Sequence, residues 1–187
     1  MNLSKLAGAL VKAKRPYCTA VIVAAGSSSR MGGTDKLSAS LGGKPVLLRT
    51  LQVFQDCPCI DEIVVVVRQE RIIGADALCR ANDLDKVSAI VAGGETRAES
   101  VLAGLESANK KARLAAIHDG ARPLVTREII ERTVHKAAQV GAAAPAIPLK
   151  DTIKRVGKGV VVETPPREEL VGIQTPQVFD KDFIEGA

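Results

Sequence analysis

The chain has 187 residues, of which 46% are apolar and 25% are charged, and 26 Lys and Arg against 21 Asp and Glu give a net charge of +5. This length and composition are typical of one globular domain and exclude a disordered, collagenous or coiled-coil chain. Aromatic residues make up only 2% of the chain, which nearly excludes binding of single-stranded nucleic acid by base stacking.

Residues 1–17 form a basic extension, in which Lys5, Lys12, Lys14 and Arg15 stand without a nearby acidic residue. We expect a solvated tail, because the apolar run LAGALV is short for a signal peptide and far too short to span a bilayer. The four cysteines include no C-x-x-C pair, so we expect reduced thiols rather than disulfides or a zinc site. These features predict a cytoplasmic protein without a membrane segment.

Residues 18–187 are predicted to form a single domain in which apolar runs alternate with amphipathic stretches. The runs predict buried strands at residues 18–25, 61–67, 86–92, 113–118 and, more weakly, 142–148. The stretches predict helices at residues 44–55, 69–82, 97–112 and 127–139. In the third helix Val101, Leu102 and Leu105 are expected to share the buried face, and Thr126 is the expected N-cap of the fourth helix. The alternation predicts an α/β three-layer fold with a mostly parallel sheet.

The alternation ends after residue 148. Residues 151–156 and 160–163 are two β-rich runs joined by the sequence GKG, which predicts a hairpin. The resulting β-arm, about residues 150–165, is expected to lie on its own domain or to reach a neighbouring molecule.

A glycine- and serine-rich loop at residues 24–36, AAGSSSRMGGTDK, follows the first predicted strand. Ligands of open α/β sheets bind at the carboxyl ends of the strands, where small residues let the backbone approach an anion. Arg30 and Lys36 add two positive charges to this loop. The loop matches neither the Walker pattern nor G-x-G-x-x-G, and a flexible connection with incidental cations is the alternative.

Two further loops follow predicted strands. In HDGARP at residues 118–123, Asp119 could meet a ribose hydroxyl or a magnesium shell and Arg122 a phosphate; Asp119 could instead be a cap or turn residue. His118 is expected to be a hydrogen-bonded histidine at the strand end. In GGETRAES at residues 93–100, the glycines permit close backbone approach, although this could be a plain strand-to-helix turn.

Five segments in order resemble the 2-C-methyl-D-erythritol 4-phosphate cytidylyltransferase family, and the resemblance spans residues 19–187. The segments are VIVAAGSSSRMGGTDKLSASLGGKPVL, GGETRAESVLAGL, HDGARPLV, DTIKRV and TPPREELVGIQTPQVF. The resemblance implies a Rossmann-like nucleotidyltransferase fold with a protruding β-arm. It also implies Mg²⁺-dependent transfer of the cytidylyl group from CTP to a polyol phosphate in non-mevalonate isoprenoid biosynthesis, with release of pyrophosphate.

The resemblance also implies roles for individual residues. Arg30 and Lys36 correspond to the catalytic cations. The implied CTP-binding residues are Ala24, Ala25, Gly26, Ser27, Ser28, Ser29, Gly94, Glu95, Ser100, Asp119 and Gly120. Asp119 also lies on the metal side of the ribose, with an indirect contact to Mg²⁺. Arg122, Thr152 and Arg167 correspond to residues that hold methylerythritol phosphate, with Lys154 and Arg155 nearby.

In this family the arm crosses to a second subunit, so a homodimer is expected, with no membrane partner and no nucleic acid. The family continues beyond the point where this sequence stops and supplies a further substrate-facing lysine there. We therefore expect either a truncated chain or an incomplete pocket. Three alternatives remain open: a ribitol 5-phosphate cytidylyltransferase, a catalytically silent CTP-binding protein, and a nucleic-acid binder supported only by the positive charge.

Overall fold

The aliphatic runs of the sequence form the centre of a six-stranded sheet. The computed structural model describes residues 15–26 and 36–186. Its strands are β1 (Cys18–Ala24), β2 (Ser40–Leu41), β3 (Lys44–Pro45), β4 (Glu62–Val67), β5 (Val87–Ala92), β6 (Leu114–Asp119), β7 (Ala142–Ala143), β8 (Ala146–Pro148), β9 (Arg155–Gly157), β10 (Val160–Glu163), β11 (Val171–Ile173) and β12 (Gln177–Asp180). Its helices are α1 (Val46–Gln55), α2 (Ile72–Arg80), α3 (Arg97–Glu106), α4 (Arg127–Val140) and α5 (Lys181–Glu185).

The sheet has the strand order β5-β4-β1-β6-β12-β7. Strands β5, β4, β1 and β6 are parallel, and Val21 in β1 lies between Val64 in β4 and Ile117 in β6. Strand β12 runs antiparallel to β6 and to β7. The predicted strands at residues 18–25, 61–67, 86–92 and 113–118 are therefore confirmed as the parallel part of the sheet.

Helices cover both faces of the sheet. The cluster on one face joins α1, α2 and α4 through Leu51, Cys79 and Ile130. The cluster on the other face joins α3 and α5 through Leu105 and Ile184. Because each face is covered by a helical layer, the central strands are mainly aliphatic, and the predicted three-layer α/β fold is confirmed.

Helix α3 differs from its prediction in length and in one of the three residues predicted on its buried face. It ends at Glu106 rather than at residue 112, and Leu102 is 49% exposed instead of buried. The helix turns Gly104 toward the sheet, where an added Cβ would lie 2.3 Å from Cγ1 of Val21. A glycine at this point lets the helix approach the strands closely, while Leu105 and Val101 pack against the same face of the sheet, as predicted.

The other predicted elements need smaller corrections. Helix α1 begins at Val46 because Pro45 occupies the N-cap position, and Thr126 is confirmed as the cap of α4, with its Oγ1 accepting from Ile129 N at 3.3 Å. The weak strand predicted at residues 142–148 is divided into β7 in the main sheet and β8, which pairs with β11. Pro145 lies between the two strands. Because proline has no N–H to donate to a neighbouring strand, it interrupts the pairing there.

The predicted hairpin of the arm is confirmed, with a shorter first strand that begins at Arg155. Its turn places Lys158 at φ 50° and Gly159 at φ 79°, and two positive φ values are typical of the tight hairpin turn that matches strand twist. Val156, Val160 and Val161 are each more than half exposed. All four cysteines are buried free thiols. Among the described helices, none has the length and apolarity needed to cross a bilayer.

Candidate active site

The carboxyl ends of β1, β4, β5 and β6 open on one cleft of about 510 Å³. The sequence-predicted residues in its lining are Ala24, Ala25, Gly26, Lys36, Gly94, Glu95, Ser100 and Asp119. They come from four segments of the chain, and they meet because the carboxyl ends of parallel strands lie at the same edge of the sheet.

The loop after β1 forms one wall of the cleft. Ala24 is buried, Ala25 is half-buried and Gly26 is exposed, with no atom within 4 Å of the position of an added Cβ. The chain leaves the sheet here with its backbone accessible, as close approach to an anion requires. Lys36 lines the cleft where the described chain resumes. The predicted residues Ser27, Ser28, Ser29 and Arg30 lie outside the described residues.

The loop after β5 forms the opposite wall and is fixed by a capping box. Thr96 Oγ1 accepts from Glu99 N at 3.1 Å, and the Glu99 carboxylate accepts from Glu95 N at 2.7 Å and from Thr96 N at 3.1 Å. An added Cβ on Gly93 would lie 2.5 Å from Ala25 Cβ and 2.6 Å from Ser100 Oγ. The two walls therefore approach each other at a point where only glycine fits.

Asp119, at the end of β6, is held between two guanidinium groups. Its Oδ1 accepts from Arg97 at 3.2 Å and its Oδ2 from Arg122 Nε at 2.9 Å. The Asp119 side chain is 31% exposed, and the arginines are 51% and 46% exposed. Exposed ion pairs of this kind contribute little to stability, so a ligand could exchange places with either arginine at low cost.

Gly120, unlike the other described residues predicted to bind CTP, does not line the cleft. It is buried, and its N–H donates to Val23 O at 2.8 Å while its carbonyl accepts from Thr50 Oγ1 at 2.8 Å. An added Cβ would lie 3.0 Å from Ala24 Cβ. Gly120 thus joins the ends of β1 and β6 beneath the cleft and is not part of its lining.

A second, larger cleft of about 1020 Å³ lies beside the first, against α4. Its lining includes Arg122, Gln174, Thr175 and the buried His118. Arg122 connects the two clefts, because its side chain bonds to Asp119 on one side and to Gln174 on the other. Burial lowers the pKa of His118 to about 4, so its ring is neutral at physiological pH.

The structure of one chain does not bring the predicted residues Thr152 and Arg167 to either cleft. Thr152 is exposed in the segment before β9, and Arg167 donates to the carbonyl of Lys150 at 2.9 Å. Both therefore belong to the base of the arm within one chain.

Sequence reasoning did not select three residues that line the clefts: Arg68, Arg97 and Thr175. Arg68 directly follows the valine run of β4, so its position at the carboxyl end of a predicted strand could have identified it as a residue of the cleft. Arg97 lies within GGETRAES, between residues that were selected. Thr175 gave no signal, because its position depends on the antiparallel pairing of β12 with β6.

The sequence is similar to one family along nearly its whole length. The family model of 2-C-methyl-D-erythritol 4-phosphate cytidylyltransferase matches residues 18–187. A protein of that name from Dehalococcoides mccartyi is 48% identical over 169 residues, which cover 90% of this chain and 74% of the relative. Another from Halalkalibacterium halodurans is 46% identical over 168 residues, which cover 89% of this chain and 73% of the relative.

Solved structures give the same result for the fold. The 4-diphosphocytidyl-2C-methyl-D-erythritol synthase of Anaerococcus prevotii superposes with a TM-score of 0.81 at 31% identity, covering 91% of this chain and 74% of that one. The 2-C-methyl-D-erythritol 4-phosphate cytidylyltransferase of Thermus thermophilus superposes with a TM-score of 0.64 at 30% identity, covering 87% and 70%. The Rossmann-like fold expected from the sequence is confirmed.

Proposed function

The chain belongs to the 2-C-methyl-D-erythritol 4-phosphate cytidylyltransferase family, and we propose that it transfers the cytidylyl group of CTP to 2-C-methyl-D-erythritol 4-phosphate. The products are pyrophosphate and 4-diphosphocytidyl-2-C-methyl-D-erythritol. The observation that carries the proposal is the convergence on one cleft of residues that the family resemblance assigns to CTP, from the segments after β1, β5 and β6. A cytoplasmic location is part of the same proposal.

On the CTP side, the exposed backbone at Ala25 and Gly26 wraps the triphosphate, together with Ser27–Ser29. The N–H groups and small residues of this loop are suited to phosphate. Gly94, Glu95 and Ser100 hold the cytosine and ribose, and Asp119 faces the ribose. Lys36 and Arg30 are the catalytic cations, with Arg68 and Arg97 as two further positive charges in the lining.

Few chemical groups are needed for this reaction. The nucleophile is the phosphate of the polyol, which is already ionised at neutral pH, so no general base is required. Catalysis then consists of aligning this phosphate with the α-phosphorus and stabilising the charge that develops there. Lys36 lines the cleft, and its ammonium group can stabilise this charge.

The residues of the cleft fit a magnesium ion that arrives with the nucleotide. Within the described ranges, no three His, Cys, Asp or Glu residues stand together as a ligand set. Mg²⁺ is commonly held by one or two carboxylates, water and substrate phosphates. Asp119, with both oxygens occupied by arginines, fits an indirect contact through water. When bound, Mg²⁺ neutralises phosphate charge.

On the polyol side, Arg122 meets the substrate phosphate, and Thr152 and Arg167 come from the partner in a homodimer built through the arm. Two observations support this arrangement. Thr152 and Arg167 lie away from both clefts within one chain. The hairpin β9–β10 pairs only with itself among the described strands and exposes several valines, and an exposed apolar patch marks an interaction surface.

A pyrophosphate-release assay with a nucleotide and polyol phosphate panel tests the proposal. We expect release with CTP and 2-C-methyl-D-erythritol 4-phosphate, loss of release on chelation of Mg²⁺, and much slower release with ATP, GTP or UTP. Faster turnover of ribitol 5-phosphate than of 2-C-methyl-D-erythritol 4-phosphate would show that ribitol 5-phosphate is the substrate instead. Calorimetric binding of CTP without pyrophosphate release would show a silent CTP-binding protein instead.

Light scattering coupled to gel filtration tests the dimer. The unmodified chain should elute as a dimer, and V161D, which places a charge among the exposed valines of the arm, should elute as a monomer. K158A changes the exposed turn of the same hairpin without altering the valines and serves as the control. A monomeric unmodified chain would contradict the homodimer.

A further inference from the structure

His118 connects three segments that form the polyol side of the site. It is the penultimate residue of β6, is fully buried, and its ring lies against Phe54 with centroids 4.9 Å apart. Its Nε2 is 3.2 Å from the carbonyl oxygen of Arg122, and its Nδ1 is 2.9 Å from Thr175 Oγ1. A buried imidazole thus contacts both the loop after β6 and the segment before β12.

The partners of the ring determine where its proton lies. A carbonyl oxygen can only accept a hydrogen bond, so the 3.2 Å contact with Arg122 O favours the tautomer of His118 that carries its proton on Nε2. A fully buried ring with neutral partners is neutral, in agreement with its lowered pKa. Nδ1 therefore has a free electron pair, and the hydroxyl of Thr175 donates its only proton to it.

This direction of bonding fixes what Thr175 can offer to a ligand. With its proton committed to His118, the oxygen of Thr175 can only accept hydrogen bonds. Asp119 N–H, at 3.5 Å, is at the limit of bonding to it. Because Thr175 lines the second cleft, it presents an acceptor, which suits a hydroxyl group of a polyol and not a phosphate oxygen.

The other bond of the ring acts on Arg122. The side chain of Arg122 donates to Asp119 Oδ2 at 2.9 Å and to Gln174 Oε1. Holding the carbonyl of Arg122 to the fixed ring restrains the backbone from which this guanidinium extends. Gln174 adjoins Thr175 in sequence, so the same imidazole restrains both ends of the Arg122–Gln174 contact.

We propose that His118 is a positioning residue for the polyol phosphate: as the Nε2–H tautomer it holds the Arg122 backbone in place and keeps the Thr175 oxygen as a hydrogen-bond acceptor. Its effect should be larger on the second substrate, because its bonds go to Arg122 and Thr175 in the second cleft, and it reaches the CTP side only through their contacts with Asp119. The inference rests on the proposed transfer to a polyol phosphate, and the tautomer can be tested without turnover.

Nitrogen-15 NMR of the imidazole rings tests the tautomer directly. The chain has only two histidines, so H135Q leaves the ring of His118 as the single signal source. We expect one protonated nitrogen, assigned to Nε2, and one unprotonated nitrogen, assigned to Nδ1. An Nδ1–H tautomer, or averaging between the two forms, would overturn the proposal.

Three variants separate the two bonds of the ring. H118N keeps an acceptor near the position of Nδ1 but loses the bond to Arg122 O. H118Q keeps a donor near the position of Nε2 but loses the bond to Thr175. H118F keeps the contact with Phe54 and loses both hydrogen bonds. We expect H118F to raise the KM for the polyol phosphate about tenfold, with smaller increases for H118N and H118Q, because each loses one hydrogen bond. The KM for CTP should rise by less than the KM for the polyol phosphate, since His118 reaches the CTP side only indirectly, through the contact of Arg122 with Asp119.

Further measurements keep the outcome decisive. Calorimetric CTP binding shows whether each variant is folded, and T175V, which removes the proposed acceptor itself, should raise the KM for the polyol phosphate at least as much as H118Q does. Equal increases in both KM values, or a loss of thermal stability alone, would show that His118 is only structural. Absence of turnover by the unmodified chain would instead contradict the proposed function and leave the NMR result to decide the tautomer.

Discussion

Glu62 and Asp119 are carboxylates at opposite edges of the same sheet, and the structure surrounds them with different partners. Glu62 begins β4 at the amino edge and is only 5% exposed. It accepts from the hydroxyls of Thr19 at 2.6 Å and Ser88 at 2.7 Å and from Asn109 N at 2.9 Å. These donors come from neighbouring strands and a turn, and they satisfy a buried group for which water is not available.

Asp119 ends β6 at the carboxyl edge, where its side chain is 31% exposed and its partners are the charged side chains of Arg97 and Arg122. Long, half-exposed arginines can move to a ligand, whereas the short donors around Glu62 cannot. The difference shows that the hydrogen bonds at the amino edge stabilise the fold, whereas the ion pairs at the carboxyl edge can be exchanged for contacts with a ligand. Substitutions at the two edges should therefore change different observables.

The largest effect is expected at the amino edge. E62A leaves two hydroxyls and one backbone N–H without their acceptor, so the free energy of unfolding should fall by about 3 kcal/mol. E62Q keeps the side-chain size and one carbonyl oxygen, so it should lose about 1 kcal/mol. Urea denaturation measures both values. A loss below about 0.5 kcal/mol for E62A, the range of ordinary surface substitutions, would contradict a structural role for Glu62.

At the carboxyl edge, K36A should show the reverse pattern. Removing a cation that stabilises charge in the transition state should lower kcat by about 10²-fold or more. The free energy of unfolding should fall by less than it does in E62A. K44A removes an exposed lysine that bonds to Gln52 and is the control for loss of charge alone. A near-normal kcat for K36A would exclude the catalytic role.

D119N makes the same carboxylate-to-amide change as E62Q at the other edge. A neutral amide no longer balances the guanidiniums of Arg97 and Arg122, so their positions should become less defined, and kcat/KM should fall about tenfold. Stability should change by less than about 0.5 kcal/mol, because exposed ion pairs contribute little. Steady-state kinetics beside urea denaturation of both amide variants checks this crossed pattern. If D119N loses more stability than E62Q, the assignment of the two edges is wrong.

The sequence predicted the parallel part of the sheet because aliphatic runs such as IVVVV leave few alternatives to a buried strand. It did not predict β12 (Gln177–Asp180), which pairs between β6 and β7, because the position of a short strand depends on where the chain returns to the sheet. On α3 the predicted positions of Leu105 and Val101 in the core are confirmed, and only Leu102 was predicted incorrectly. The close approach through Gly104 leaves no apolar signal in the sequence.

The same limits apply to the clefts. Residues near the carboxyl ends of β1, β5 and β6 could be predicted to meet, because parallel topology alone brings them to one edge. Gly120, which the family resemblance implied, lies beneath the lining, since a position in a loop does not determine which side faces a ligand. Thr175 reaches His118 only through the pairing of β12, so its place in the site depends on an element that the sequence left unpredicted.

The smallest effect on kinetics is expected from removing one arginine at each edge of the sheet. R97Q leaves Asp119 paired with Arg122, so the free energy of unfolding should change by less than about 0.5 kcal/mol. The KM for CTP should rise about threefold at low salt and less at high salt, because the lost attraction to phosphate is screened. R113Q is the matched control, since Arg113 forms an exposed pair with Asp180 at 3.8 Å next to the amino end of β6. Kinetics at two salt concentrations distinguish the edges: equal increases for R97Q and R113Q would mean that overall charge, not position in the cleft, controls CTP binding.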